Sequence, residues 1–254
     1  MLAVLLLIQS SPKTIQLSAL PYLNCPKFRV MKLESYLNKI FAEYLGSMLL
    51  VATVVGSGIM ATDISTDIGV QLLINTFATV FVLIILISIL HPISGAHFNP
   101  AVTLIEFMQK RISLSHVLLY LMAQLLGAIT GTALAHLMFA QDIFTTSNKM
   151  RSGSNLFLSE IVATAGLILV INILVQQKRI NFLPYLVSLW IGSGYLFTAS
   201  TSFANPAVTI ARSFTDTFSG IAPASVFMFV LAQFIGAFIG LLIVRIIGYR
   251  SENV

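Results

Sequence analysis

Charge is what this chain has least of. Only 9% of its 254 residues are Asp, Glu, Lys or Arg, against 57% apolar, and the mean hydropathy is +0.93. A soluble domain of this length needs far more charge to hold its surface in water. Cysteine occurs once, at Cys25, which rules out an intramolecular disulfide. His91, His116 and His136 show no metal-ligand spacing with one another, so no metal site is expected. The sequence has no His-Glu-x-x-His run, no phosphate-binding Walker loop and no Gly-x-Ser-x-Gly elbow. An enzyme reading therefore has no residues to rest on, and no cofactor is implied. Net charge is +5, yet the basic residues lie between apolar runs instead of forming a patch for nucleic acid.

Long apolar runs are abundant. Six stretches are long enough to cross a bilayer, roughly Ile40–Met60, Val70–Leu90, Leu114–Met138, Phe157–Gln176, Phe182–Ala199 and Ala222–Ile247. Lys13, Lys27, Arg29, Lys32 and Lys39 precede the first, Lys110/Arg111 and Lys178/Arg179 fill the second and fourth connections, and Arg245 and Arg250 close the chain. The other side holds only Lys149, Arg151 and Arg212. This excess places both termini in the cytoplasm. Leu2–Ile8 is too short to span and no small-residue cleavage site follows it. Residues 1–30 are expected to be a disordered extension, with the membrane-spanning domain in 31–254.

Between these spans one motif occurs twice. Ser94-Gly95-Ala96-His97-Phe98-Asn99-Pro100-Ala101-Val102-Thr103 is echoed by Ser202-Phe203-Ala204-Asn205-Pro206-Ala207-Val208-Thr209. Asn before Pro starts a helix well: the Asn side chain caps free N–H groups, and Pro at the first position loses no needed donor. The apolar runs that follow end near Glu106 and Thr215. At about 1.5 Å per residue they reach roughly half of a ~30 Å hydrocarbon core. Two half-helices meeting tip to tip at mid-membrane are the expected geometry.

The halves are repeats, about 38–139 and 155–250. Glu43 and Glu160 open the first and fourth spans; Gln124-x-x-Gly127 and Gln233-x-x-Gly236 lie in the third and sixth. Three spans per repeat is an odd number, so the second copy is inverted, and inverted repeats place their site near the midplane. A carboxylate inside a membrane must have partners. Glu43 and Glu160 are either proton or ion ligands or acceptors for the N–H groups of a re-entrant loop; their equivalent placement favours the second. His97 is read as a loop brace over a proton carrier, and Glu106 and Asp216 as solvated loop charges. Glycines at helical spacing, among them Gly127/Gly131 and Gly236/Gly240, point to close helix packing, although some can also face a conduit.

Twin Asn-Pro-Ala loops, six spans and a Glu in spans one and four resemble the major intrinsic proteins, the aquaporins and aquaglyceroporins, over about residues 36–250. The resemblance implies an all-α membrane protein of six transmembrane helices plus two re-entrant half-helices. It also implies a homotetramer with a pore in each protomer, and a passive channel in the cytoplasmic membrane for water and small uncharged solutes. Asn99, Pro100, Ala101, Asn205, Pro206 and Ala207 would form the pore midplane, and Gly95, Ala96, His97, Thr201 and Phe203 would line it with backbone. Each helix tip carries about half a positive charge. At about 5 Å and an effective dielectric of ~20, two tips raise a monovalent cation by roughly 3 kcal/mol, a general property of aquaporin-type pores.

The family generally carries Arg directly after the second Asn-Pro-Ala; here that place is Val208. Ungapped alignment sets the other filter positions on Thr79, Ser193 and Ser202, a filter without a large aromatic or a fixed charge. It should pass solutes larger than water, with ions and protons held back mainly at the midplane. Similarity to a bacterial subgroup lacking the filter arginine adds neutral arsenicals and polyols as solutes. Arg212, one turn past Val208, either leans back to the mouth, caps the half-helix or pairs with Asp216. An ion-coupled transporter is the rival reading, since it too uses inverted repeats and broken helices.

Overall fold

The computed structural model describes residues 26–247, with side chains from residue 36. The extension expected over 1–30 lies outside the described residues as far as residue 25; Pro26–Val30 are helical. The chain divides after Leu37, and the architecture below is that of the larger unit from Asn38 on.

Eight α-helices are present among the described residues: α1 Pro26–Ile64, α2 Ile68–Ser94, α3 Pro100–Met108, α4 Leu114–Met138, α5 Ser154–Gln176, α6 Leu183–Phe197, α7 Pro206–Ala211 and α8 Pro223–Ile247. Six spans are long and apolar enough to cross a membrane, Tyr36–Ile64, Ile68–Ser94, Leu114–Met138, Ser154–Gln176, Ile180–Phe197 and Pro223–Ile247. The two short helices, α3 and α7, are half-helices that begin at the two Asn-Pro-Ala motifs. A 3-10 turn over Arg212–Phe214 extends α7. The helix ends follow local chemistry. Asp67 accepts from the Val70 N–H at 2.9 Å to start α2, and Gly95, at a left-handed φ of 91°, ends it.

Helix crossings repeat between the halves. Gly127 and Gly131 set α4 against the carbonyls of Tyr44 and Met48 on α1; Gly236 and Gly240 set α8 against those of Ile161 and Ala165 on α5. A Cβ at any of the four would collide with main chain that cannot yield. Packing without a side chain is how helices approach closely in lipid, where apolar burial supplies no drive between them. The perimeter is apolar in keeping with lipid: Phe77, Phe81, Ile85 and Ile89 are exposed along α2. The connection between the repeats is pinned over the end of α7. Thr145 and Ser147 N–H groups donate to the carbonyls of Phe214 and Ser213, and the Ala222 N–H donates to that of Lys149.

Candidate functional site

Each Asn-Pro-Ala segment is held by a buried carboxylate. Glu43 on α1 accepts from the Ser94 hydroxyl (2.6 Å) and the N–H groups of His97 (3.0 Å) and Phe98 (2.8 Å). Glu160 on α5 accepts from the N–H groups of Phe203 and Ala204, both at 2.9 Å. A glutamine completes each set: Gln124 donates to Glu43 (2.8 Å) and Thr103 (2.9 Å), Gln233 to Glu160 and Thr209 (both 2.7 Å). Both carboxylates are wholly buried. The loop N–H groups that no helix or strand can pair thus find acceptors, as buried backbone requires.

The loops share an unusual backbone. Gly95, Ala96 and Phe98 have positive φ, as do Thr201, Ser202 and Ala204 at the equivalent places. Left-handed geometry at non-glycine residues costs about 1–3 kcal/mol each and persists only where the surroundings impose it. Here the glutamates impose it.

Helix starts and loops then lock together. The Asn99 side chain accepts from the Ala101 N–H (2.9 Å) and that of Asn205 from the Ala207 and Val208 N–H groups (3.0 and 3.3 Å). Each amide also donates across to the other loop: Asn99 Nδ2 to the Ala204 carbonyl at 2.8 Å, Asn205 Nδ2 to the Phe98 carbonyl at 2.7 Å. One N–H per amide remains beyond those cross-loop bonds.

A cavity of about 170 Å³ passes this junction. Leu183, Val187, Ile191 and Tyr195 line it from α6, and Thr79, Leu83, Ile87 and His91 from α2. Each stripe recurs every fourth residue and covers about 18 Å of helix at 1.5 Å per residue. Gly95, Ala96, His97, Asn99, Ser202, Phe203, Asn205 and Val208 border it between those ends. His97 Nδ1 lies 3.0 Å from the Thr103 hydroxyl, its ring edge-on to Tyr120.

Several expected site residues lie elsewhere. Ser193 is exposed on α6 and does not reach the cavity. Two residues along a helix rotate by about 200°, so the lining stripe that ends at Tyr195 puts Ser193 on the far side. Tyr195 is buried, with its hydroxyl 3.4 Å from that of Thr79. An aromatic therefore stands where a small hydroxyl was expected; the Leu183-Val187-Ile191-Tyr195 spacing was the signal that could have found it. Thr201 is outside the lining and Ala204 is in it. Pro100, Ala101, Pro206 and Ala207 are buried helix starts off the cavity wall.

Charges mark the two ends. Glu106, expected as a solvated loop charge, lines the cavity and pairs with Arg111 at 2.8 Å. Asp216 is exposed, its carboxylate accepting from the Asn148 N–H and amide at 2.9 and 3.0 Å, and those bonds hold its pKa below the usual value. Arg212 neither caps α7 with its side chain nor pairs with Asp216. It is buried at the cavity, with Nε donating to the Ser219 carbonyl and the guanidinium 3.4 Å from the Phe203 ring centre.

Comparison with known proteins agrees with this architecture. The sequence profile of the family described as "Major intrinsic protein" matches residues 30–204. The chain is 50% identical over 204 residues to Aquaglyceroporin AqpS of Rhizobium meliloti, covering 80% of this chain and 87% of that protein. It is 27% identical over 233 residues to Aquaporin NIP1-2 of Arabidopsis thaliana, covering 85% and 76%. The X-ray structure of the aquaglyceroporin from Plasmodium falciparum has the same fold, with a TM-score of 0.62 at 24% identity, covering 84% of this chain and 97% of that one. Six spans, two half-helices joined at their Asn-capped tips and these matches place the chain in the major intrinsic protein family of membrane channels.

Proposed function

We propose that this protein is a passive channel for water and small uncharged polar solutes, glycerol-like polyols and neutral metalloid hydroxides such as arsenite. One observation carries the reading: a single cavity is lined from both repeats, with the two Asn amides at its centre. A neutral hydroxylic solute can exchange water for those donors and for the loop carbonyls. A cation meets two positive helix tips and no carboxylate free to receive it, since Glu43 and Glu160 already brace the loops and Glu106 pairs with Arg111. That commitment also argues against an ion-coupled transporter, which needs a carboxylate able to change its charge.

Thr79, Tyr195, Ser202 and Val208 form the outer filter in this reading. Val208, in the place directly after the second Asn-Pro-Ala, leaves room that a guanidinium would fill. The AqpS relative, named an aquaglyceroporin, supports a solute larger than water. The Lys and Arg distribution places both termini in the cytoplasm, and the family resemblance supports a homotetramer in the cytoplasmic membrane.

Liposome swelling with the purified protein tests the filter. Val208→Arg is expected to suppress glycerol and arsenite flux while sparing water. Equal loss of every solute, or no change, would overturn the filter assignment.

A further inference from the structure

Glu106 and Arg212 stand at equivalent places in the two repeats, one helical turn beyond Val102 and Val208, and all four line the cavity. Their surroundings differ. Glu106 has a counter-charge in Arg111 at 2.8 Å. Arg212 makes no contact ion pair among the described residues: Asp216 is taken up by Asn148, and Glu160, whose charge acts on it from a distance, by the loop and Gln233. Arg212 Nη1 is buried without a hydrogen-bond partner. Further positive charge gathers around it. Arg151 lies over the same Phe203 ring at 5.0 Å and donates to the Gly220 carbonyl, while Lys149 lies over Phe218 at 4.9 Å.

A buried guanidinium without a counter-ion is costly, and its placement therefore calls for a reason. Packing alone does not supply one, because an apolar side chain of the same length would fill the volume without the unpaired charge. Phe203 holds the group rigidly: its ring stacks on the guanidinium and is fixed edge-on by Phe229 at 5.1 Å. The Ser219 carbonyl fixes Nε. The charge is thus held beside the cavity in one orientation, with Nη1 packed away from it.

We infer that Arg212 is the cation-rejecting group of this end of the pore, supplied one turn beyond the filter position that Val208 occupies. Its charge raises the energy of alkali cations and hydronium before they reach the Asn pair. A filter position without arginine and ion exclusion are compatible for this reason. The inference rests on the reading of the cavity as a conduit for neutral solutes.

Proteoliposomes assayed in parallel for glycerol swelling and for potassium-driven proton leak separate the two claims. Arg212→Met and Arg212→Gln are expected to keep glycerol flux within a few-fold of wild type and to raise cation and proton leak by about tenfold or more. Arg212→Lys should restore tightness. Gln is shorter but keeps a hydrogen-bonding amide without the charge, so it decides the matter if the Met variant fails to assemble. Swelling that persists in a Gln variant as tight as wild type would overturn the inference. A wild-type protein that passes no glycerol would overturn the conduit reading instead.

Discussion

The two Asn-Pro-Ala loops have one skeleton and two chemistries. Glutamate, glutamine and threonine recur in the same hydrogen-bonded arrangement, and the left-handed residues recur in register. At the cavity Asn99 still answers to Asn205 and Val102 to Val208, but elsewhere the copies part: His97 answers to Phe203, and Glu106 to Arg212. The difference teaches that inverted repetition constrains the backbone braces, which must satisfy the same main-chain donors twice. It leaves some lining positions free to diverge, so one mouth carries a paired carboxylate and the other an unpaired guanidinium.

The largest effect should come from breaking the shared skeleton. Glu43→Gln or Glu160→Gln replaces acceptors by an amide that points a donor at backbone donors. Each loses charge-assisted bonds and is expected to cost about 3 kcal/mol or more of stability. Thermal unfolding of the detergent-solubilised protein would read this out. Similar losses from both variants are expected if the braces are equivalent; a variant as stable as wild type would show that one loop is held by something else.

Exchange of the divergent pair should do less. Phe203→His removes a cation-bearing ring face and sets a titratable ring beside Arg212, a loss of about 1 kcal/mol. His97→Phe gives up only the contact to the Thr103 hydroxyl. In a swelling assay the first should alter solute preference and the second should not. Equal responses would erase the proposed difference between the mouths.

The smallest effect concerns Lys149, in the connection between the repeats. Burial, followed by the charges of Arg151 and Arg212, lowers its pKa from 10.5 to about 8. Between those values the unfolded chain holds a proton that the folded chain lacks, so stability should rise with pH across that window. The side chain is also partly exposed, and solvent keeps the gain slight. A thermal midpoint that drifts upward from pH 8 to 10 in wild type but not in Lys149→Met is the expected result. Identical pH profiles would remove Lys149 from the basic cluster.

Much of the site was legible in the sequence. Asn99 and Asn205 were legible because a cap and its Pro are local signals. Glu43 and Glu160 stood out because an intramembrane carboxylate needs a partner, and few residues could provide one. Ser193 misled because alignment fixes order along a helix but not rotation about its axis. Glu106 was misread as a loop charge because nothing local says which way the end of a half-helix faces.

The chain by itself determined the number of spans, their breaks at two capped prolines and the repetition of the halves, all consequences of short-range sequence and of the thickness of lipid. Only the tertiary structure decided which stripe of α6 meets the cavity, that each Asn amide reaches the opposite loop, and that Arg212 lies on Phe203 with a donor to spare. Those outcomes depend on how helices far apart in sequence rotate against one another until buried donors find acceptors and glycines admit neighbouring carbonyls.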